Sequence, residues 1–347
     1  MPLAPGADIT PDELQLAARN HGMPLEALRH DVTPVGLHYL LIHYDIPVVD
    51  PRTWRLTVGD AAFTLDELRA RPAVTRAVTM ECAGNGRAAL APRPVSQPWL
   101  LEAVGNAEWT GTPLAPLLRE AGLPGDGREI LFTGLDRGVE GGVAQVYERA
   151  LPLEEALRDD VLLAYGLNGG PLPPQHGFPL RLLVPGWYGM ASVKWLSRII
   201  VLSEPHGGYQ NATAYRMRAA EDDPGTPVSR IEPRALMVPP GVPDFMTRRR
   251  FAEPGAQTIE GRAWSGHGAI DRVEVSVDGG ATWHPAQLGD ERGWRAWSFA
   301  WDAEPGEHVL CCRAFDTTGR GQPDAPQWNL GGYANNAVHR VSVTVGG

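Results

Sequence analysis

The chain has 347 residues, more than one hydrophobic core usually serves, so two domains are expected. A hydrophobic share of 43% beside 21% charged residues excludes a disordered or low-complexity chain. The net charge of −10 excludes a general nucleic-acid binder, because no basic surplus exists to neutralise phosphates.

In chain order, Thr10-Pro11-Asp12-Glu13 opens a helix, with Thr10 as N-cap, Pro11 at the first helical position and Glu13 completing a capping box. Residues 37–47, from Leu37 to Pro47, are expected to form a buried strand ending in three polar side chains, His43, Tyr44 and Asp45. Those three read equally as a pocket rim or as a satisfied loop. Trp54 to Val58 alternates like a half-buried strand, and Leu65 starts a short helix. Arg76-Ala77-Val78 approaches a small-residue turn, Glu81-Cys82-Ala83-Gly84-Asn85-Gly86-Arg87. Further on come a helix over 112–122, a strand over 129–134, a helix from Leu153 to Arg158, and strands over 161–165, 180–185 and 198–202. This mixed α and β order lacks βαβ regularity, and no Gly-x-Gly-x-x-Gly opens a helix, which argues against a dinucleotide fold. Residues 219–232 are acidic with Pro and Gly, as in a linker. Beyond them only short alternating runs with turns appear, including Asp278-Gly279-Gly280 after Arg272 to Val277. This pattern predicts an immunoglobulin-like β-sandwich. The expected class is therefore α+β, with a catalytic domain over 1–220 and a β-sandwich over 233–347.

The Cys82 turn carries the most chemical information. A thiolate is a soft metal ligand or a nucleophile, and the Arg87 guanidinium is an oxyanion fork. A buried free Cys in a tight turn fits the same residues. Cys311 and Cys312 fall in a strand and read as core. Three cysteines imply no disulfide framework and fit a reducing compartment. No twin Arg or apolar signal core occurs at the N-terminus, so a cytoplasmic location is expected, and no apolar run is long enough to span a membrane. A second stretch places His176, Arg181 and Lys194 among Gly, Pro and apolar strands, where cationic groups and free backbone N–H groups converge on an anion. Trp99 could wall a pocket, and the Tyr215 phenol could donate to an oxyanion. Zinc-hydrolase and Gly-x-Ser-x-Gly signatures are absent.

Several of these segments together resemble the sulfite oxidase family of molybdopterin oxidoreductases. Glu81 to Arg87 resembles its Cys-Ala-Gly-Asn segment. Asn168 to Pro173 leading to His176-Gly177-Phe178-Pro179-Leu180-Arg181, and Ser192-Val193-Lys194-Trp195-Leu196, resemble its pterin-binding segments. Gly261 to Gly266, Val275 to Trp283 and Trp328 to Gly332 resemble its dimerisation domain. The resemblance implies a molybdenum-dependent sulfite oxidase, working by oxygen-atom transfer on a small anion, with a molybdenum cofactor lacking an added nucleotide. Cys82 would be the only protein ligand of the metal. Arg87, Trp99 and Tyr215 would line the substrate pocket, and His176, Arg181, Ser192 and Lys194 would hold the pterin and its phosphate, with Asp136 accepting pterin N–H groups. A homodimer through the sandwich is implied. No Cys-x-x-Cys-His or haem domain is evident, so electrons are expected to pass to a separate acceptor.

The chain also departs from the family. Animal and plant members carry Arg-Asn-His before the proline that matches Pro47, where this chain has His43, Tyr44 and Asp45, so His43 would replace a fixed cation and Tyr44 and Asp45 would become altered pterin contacts. Gly331 stands where the family has an arginine. A pocket short of cations keeps nitrate or an organic S- or N-oxide open as substrate, and a non-catalytic binding module is the reading from another class. If His43 lines the pocket, sulfite turnover should rise as pH falls across about pH 5.5–8, where imidazole ordinarily titrates.

Overall fold

A computed structural model describes residues 9–122 and 127–346. Strands dominate, and the helices are short. The first helix, α1 (Pro11–Arg19), begins as expected, with Thr10 accepting from the Glu13 N–H and the Glu13 side chain reaching back.

The first part of the chain forms two sheets around one core. In one, β1 (Arg55–Val58) pairs with β2 (Ala61–Thr64). In the other, β3 (Val74–Glu81) pairs antiparallel with β4 (Val104–Pro113). The long hairpin β5 (Glu129–Glu140) and β6 (Val143–Pro152) joins the first sheet. β7 (Leu162–Leu167), β8 (Gly170–Pro171) and β9 (Arg181–Leu183) join the second, and β10 (Leu196–Leu202) returns to the first. The order in the first sheet is β2-β1-β10-β5-β6, with β1 and β10 parallel. Leu56, Leu68, Leu117, Phe132, Leu151 and Ile199 pack between the layers, all fully buried.

Residues 234–345 form the β-sandwich. Arg234–Met237, Gly255–Trp264, Trp294–Ala303 and Gln287–Arg292 make a four-stranded sheet. It faces a six-stranded one built on Ile270–Ser276, Gly306–Asp316 and His339–Val345. Cys311 and Cys312 are fully buried in Gly306–Asp316, and all three cysteines are free.

Two sequence expectations change. The segment 37–47 is not a strand: a short 3₁₀ turn, Val35–Leu37, leads into an extended path with a single bridge, His21 to Leu40. Its polar backbone is satisfied at long range instead, with the Leu40 N–H donating to the His21 carbonyl (2.8 Å) and the Ile42 N–H to Asn20 Oδ1 (2.7 Å). Second, 219–232 is no free linker. Asp223 ties the turn by accepting from the Ala219 and Gly225 N–H groups, and Arg216–Met217 pairs with Thr226–Pro227. Leu236, Val238, Trp264 and Trp294 of the sandwich pack into the first domain's core, so the hydrophobic interior runs across the boundary. No helix among the described residues is long and apolar enough to cross a membrane.

Candidate active site

β3 delivers Cys82 to the floor of a cleft enclosing about 610 Å³ of space not filled by protein atoms, part of it open to solvent. The strand ends there because the chain turns back through Ala83 to Gly86. The Cys82 N–H donates to the Ala103 carbonyl (2.9 Å) and the Asn85 N–H to the Cys82 carbonyl (3.0 Å). Gly86 takes φ +90, the left-handed region that glycine enters at least cost. The Cys82 sulfur is almost fully buried, and burial pushes its thiol pKa up, while the Arg87 guanidinium, the Gly84 N–H and the Trp99 indole N–H pull it down. This is a donor set that favours a thiolate once a cation arrives.

Arg87 is locked. Nε donates to the Gly331 carbonyl (2.8 Å), Nη1 donates to the Gln97 carbonyl (3.0 Å), and the guanidinium lies 5.3 Å from the Tyr333 ring centroid. It packs so closely over Gly84 that a Cβ there would fall 2.4 Å from Nη2. That Nη2 has no protein hydrogen-bond partner among the described residues. Gly331, one of the departures noted in the sequence, therefore contributes its carbonyl to hold Arg87.

Arg87 itself is buried beside Cys82 and is not among the residues lining the cleft, whereas Tyr215 and His43 are, joined at 2.8 Å, Oη to Nε2. Burial, with Lys194, Arg19 and Arg87 nearby, drives the His43 pKa down to about 3. His43 is therefore neutral throughout the near-neutral range. This corrects the expectation that it becomes a pocket cation as pH falls toward 5.5. Tyr44 and Asp45 are not brought to the cleft. Tyr44 Oη donates to Glu140 (2.9 Å) and its ring rests against Gly138, while Asp45 is exposed and accepts from the Ile46 N–H (2.7 Å). The segment instead presents His38, Tyr39, Leu41 and His43 to the cleft, and of these Leu41 is aliphatic.

Asp136, His176, Arg181, Ser192 and Lys194 converge on the same cleft from β5, the Pro174–His176 turn, β9 and the loop before β10. Arg181 is buried over the Trp109 ring (4.8 Å). Its Nη groups donate to the carbonyls of His176 and Ser192 (both 3.0 Å), leaving Nε without a partner. It stitches two cleft segments together rather than reaching freely for a ligand. Lys194 donates to the carbonyls of Leu41 (2.6 Å) and Gln175 (3.4 Å), which leaves one ammonium proton for a ligand. Burial pulls Lys194 down to about 7 and pushes Asp136 up to about 7, each opposed by the charge of the other. Ser192 Oγ accepts from the Val184 N–H (3.1 Å) and keeps its own proton to donate. Trp99 packs in the cluster around Cys82 rather than on the cleft wall.

Sequence reasoning missed His38, Tyr39, Met80 and Tyr147, all on the cleft wall. The ring of His38 lies against Gly105, where a Cβ would meet it at 2.6 Å, and its Nδ1 is 3.1 Å from the Tyr39 carbonyl. Nδ1 must donate there, so Nε2 is left as a buried acceptor without a partner. Nothing in the local sequence marks it, since the small residue that admits it lies 67 positions away.

Buried polar atoms with no partner are costly unless a ligand meets them. Asp136 Oδ1, His38 Nε2 and Arg181 Nε are three such atoms around this cleft. They form a mixed set of acceptors and donors suited to a hydrogen-bonding heterocycle, beside one thiol and a lysine proton suited to an anion. Among the described residues no three His, Cys, Asp or Glu side chains converge, so a metal beside Cys82 would draw its other ligands from outside the protein. These residues fit a pterin that brings its own sulfur ligands.

The chain matches the oxidoreductase molybdopterin-binding domain over residues 43–210 and the Mo-co oxidoreductase dimerisation domain over residues 246–346. It is 36% identical to the mitochondrial sulfite oxidase of Mus musculus over 341 residues, 90% of this chain and 62% of that one. It is 36% identical to the sulfite oxidase of Gallus gallus over 336 residues, 89% and 72% of the two chains. An NADH nitrate reductase of Brassica napus is 31% identical over 363 residues, 93% of this chain and 40% of that one. Among solved structures, the sulfane dehydrogenase SoxCD of Paracoccus pantotrophus superposes with a TM-score of 0.81 at 28% identity, over 93% of this chain and 86% of that one. The chain belongs to the sulfite oxidase family of molybdopterin oxidoreductases. It spans about three fifths of the length of the mammalian relatives.

Proposed function

We propose that this protein oxidises sulfite to sulfate with a molybdenum cofactor lacking an added nucleotide, and passes the electrons to a separate acceptor. The observation that carries this is the buried thiol of Cys82 sharing one cleft with orphaned donors and acceptors. When bound, the cofactor supplies the oxygen-atom transfer and holds the two electrons. The chain's residues do the rest. Cys82 holds the metal. Asp136 and His38 accept N–H groups of the pterin, and Ser192 and Lys194 donate to its polar atoms and phosphate, while Arg181 keeps the His176 and Ser192 segments in place. Tyr215 offers its phenol proton to the substrate oxyanion, with neutral His43 in the Nε2–H form donating to the phenol oxygen, and Arg87 adds fixed positive charge from beside Cys82. Burial keeps Tyr215 protonated, and the neutral His43 fixes its orientation.

A second reading, reduction of nitrate or of an organic S- or N-oxide, draws support from the scarcity of charge near the sulfur. Leu41 is apolar, His43 is neutral and Gly331 has no side chain. Sulfite-driven reduction of ferricyanide, set against viologen-driven reduction of nitrate, separates the two on the molybdenum-loaded protein. Cys82→Ser is expected to abolish both activities together with bound molybdenum, and a variant retaining the metal would overturn the ligand assignment. A homodimer through the β-sandwich is proposed from its family match. Exposed Val242 and Phe251 on the strand pair at one sheet edge, with Phe245 and Met246 in the turn that joins it, are the apolar surface it would cover. Three free cysteines suit a reducing, cytoplasmic location.

A further inference from the structure

The second domain grips the Cys82 turn from two sides, and one side chain belongs to both grips. Below the turn, Glu81 is fully buried, and its carboxylate is held by three partners. Asn85 Nδ2 donates to Oε1 (3.0 Å), Trp264 Nε1 donates to Oε2 (2.7 Å), and Arg234 Nε lies 2.8 Å from Oε1. Asn85 belongs to the turn itself, whereas Arg234 and Trp264 come from two paired strands of the sandwich. Above the turn runs the loop 329–336. The Ala334 N–H donates to the Ala83 carbonyl (2.8 Å), Asn335 Nδ2 to the Gly86 carbonyl (2.7 Å), and Arg87 Nε to the Gly331 carbonyl. Arg234 closes the circuit, since its Nη2 donates to the carbonyl of Asn335. Both Arg234 and Glu81 have side chains only 1% exposed.

We propose that Arg234 is a positioning residue that fixes the geometry of Cys82 and Arg87 from the second domain, by clamping the residue before the sulfur and the loop over it at once. A buried ion pair adds little net stability over a well-packed apolar pair, because desolvation offsets most of the attraction. Its contribution here is positional, because the same guanidinium pairs with Glu81 and donates through Nη2 to Asn335. Glu81 immediately precedes Cys82, and any rotation of the β3 terminus would break two hydrogen bonds and the ion pair together. Without Arg234 the Asn335 carbonyl loses a donor, and the loop carrying Gly331, the anchor of Arg87, loses its tie to the strand below.

The closing experiment uses the metal-free full chain. The clamp's importance to catalysis rests on Cys82 being the metal ligand, but labelling of the sulfur does not, so the two readings fail separately. Iodoacetamide labelling is followed by peptide mass spectrometry at Cys82, Cys311 and Cys312. Arg234→Met leaves a buried carboxylate unpaired and should raise the Cys82 labelling rate by about a hundredfold, which is about 2.7 kcal/mol of opening free energy. Cys311 and Cys312 should not change. Because that variant could unfold, the double variant Glu81→Gln/Arg234→Met removes both charges. Its urea stability should return close to that of the parent while Cys82 labelling stays at least about tenfold faster. Arg234→Lys should restore part of the protection. In the molybdenum-loaded protein the double variant should also shift the metal–thiolate absorption bands. Labelling that is unchanged at Cys82, or that rises equally at all three cysteines in the double variant, overturns the proposal.

Discussion

Acidification should destabilise the cofactor-free protein through three imidazoles of the cleft wall. Burial holds His38 at about 4, His43 at about 3 and His176 at about 2, against an ordinary value of 6.5. The direction follows from linkage. Each ring stays neutral in the folded state, whereas in the unfolded chain it takes a proton below 6.5, so the stability it carries at neutral pH is lost as pH falls toward the folded value. Between about pH 7 and pH 5 each such histidine costs about 2 kcal/mol, or about 6 kcal/mol for the three. Asp136 acts in reverse. Burial raises it to about 7, so it binds a proton in the folded state first, and over the same range it returns about 2 kcal/mol. The net loss from these four cleft groups is about 4 kcal/mol, and His339, buried in the sandwich and held at about 3, adds about 2 kcal/mol more, together a large fraction of a typical domain's stability. Urea unfolding of cofactor-free protein at pH 7, 6 and 5 measures it. His43→Gln should flatten the slope by close to one proton. A stability that is level or rising from pH 7 to pH 5 would refute the reasoning.

Further outcomes follow from the same geometry. Gly86→Ala forces a side chain into φ +90 and places a Cβ 2.9 Å from Asn335 Nδ2, so it should cost about 1–2 kcal/mol in backbone strain and loosen the loop over the sulfur. Differential scanning fluorimetry and Cys82 labelling check both effects. Leu41→Arg adds a cation on the cleft wall and should lower the KM for sulfite by about tenfold, one charged hydrogen bond, with the gain weakened by salt. A KM that does not move would show that residue 41 does not face the substrate anion. Thr10→Ala should cost about 1 kcal/mol by removing the cap of α1 while leaving sulfite turnover at saturation unchanged.

Sequence made some features legible because they are local. The capping box of Thr10 and Glu13 needs only four residues, and the alternation in Arg272 to Val277 needs only neighbours. The motif residues Cys82, His176, Arg181, Ser192 and Lys194 were visible because their surroundings of glycine and proline are unusual, and they do meet in one cleft. The illegible parts depend on distance. The apolar run at 37–47 reads as a strand until one sees that its hydrogen bonds go to Asn20, His21 and Lys194. Counting back from Pro47 put Tyr44 and Asp45 at the site, but the backbone bends after His43, packs the Tyr44 ring against Gly138 and sends Asp45 to the surface. β4, with two glycines and a buried asparagine, has little strand character of its own. It is held between β3 and β7, and its Gly105 exists for the His38 ring. The pKa of His43 was likewise unreadable, because it is set by burial and by Lys194, 151 residues away.

The continuous interior between the domains bears on how this protein tolerates change. Trp264 and Arg234 are buried residues of the β-sandwich, and their inner ends touch the residue that precedes the sulfur. Substitutions in the sandwich interior and substitutions at the Cys82 turn therefore act through shared side chains. Substitutions intended only to alter association should be screened at the sulfur, and a split at the Asp223 turn would part the Cys82 turn from Arg234, Trp264 and the loop 329–336 that hold it.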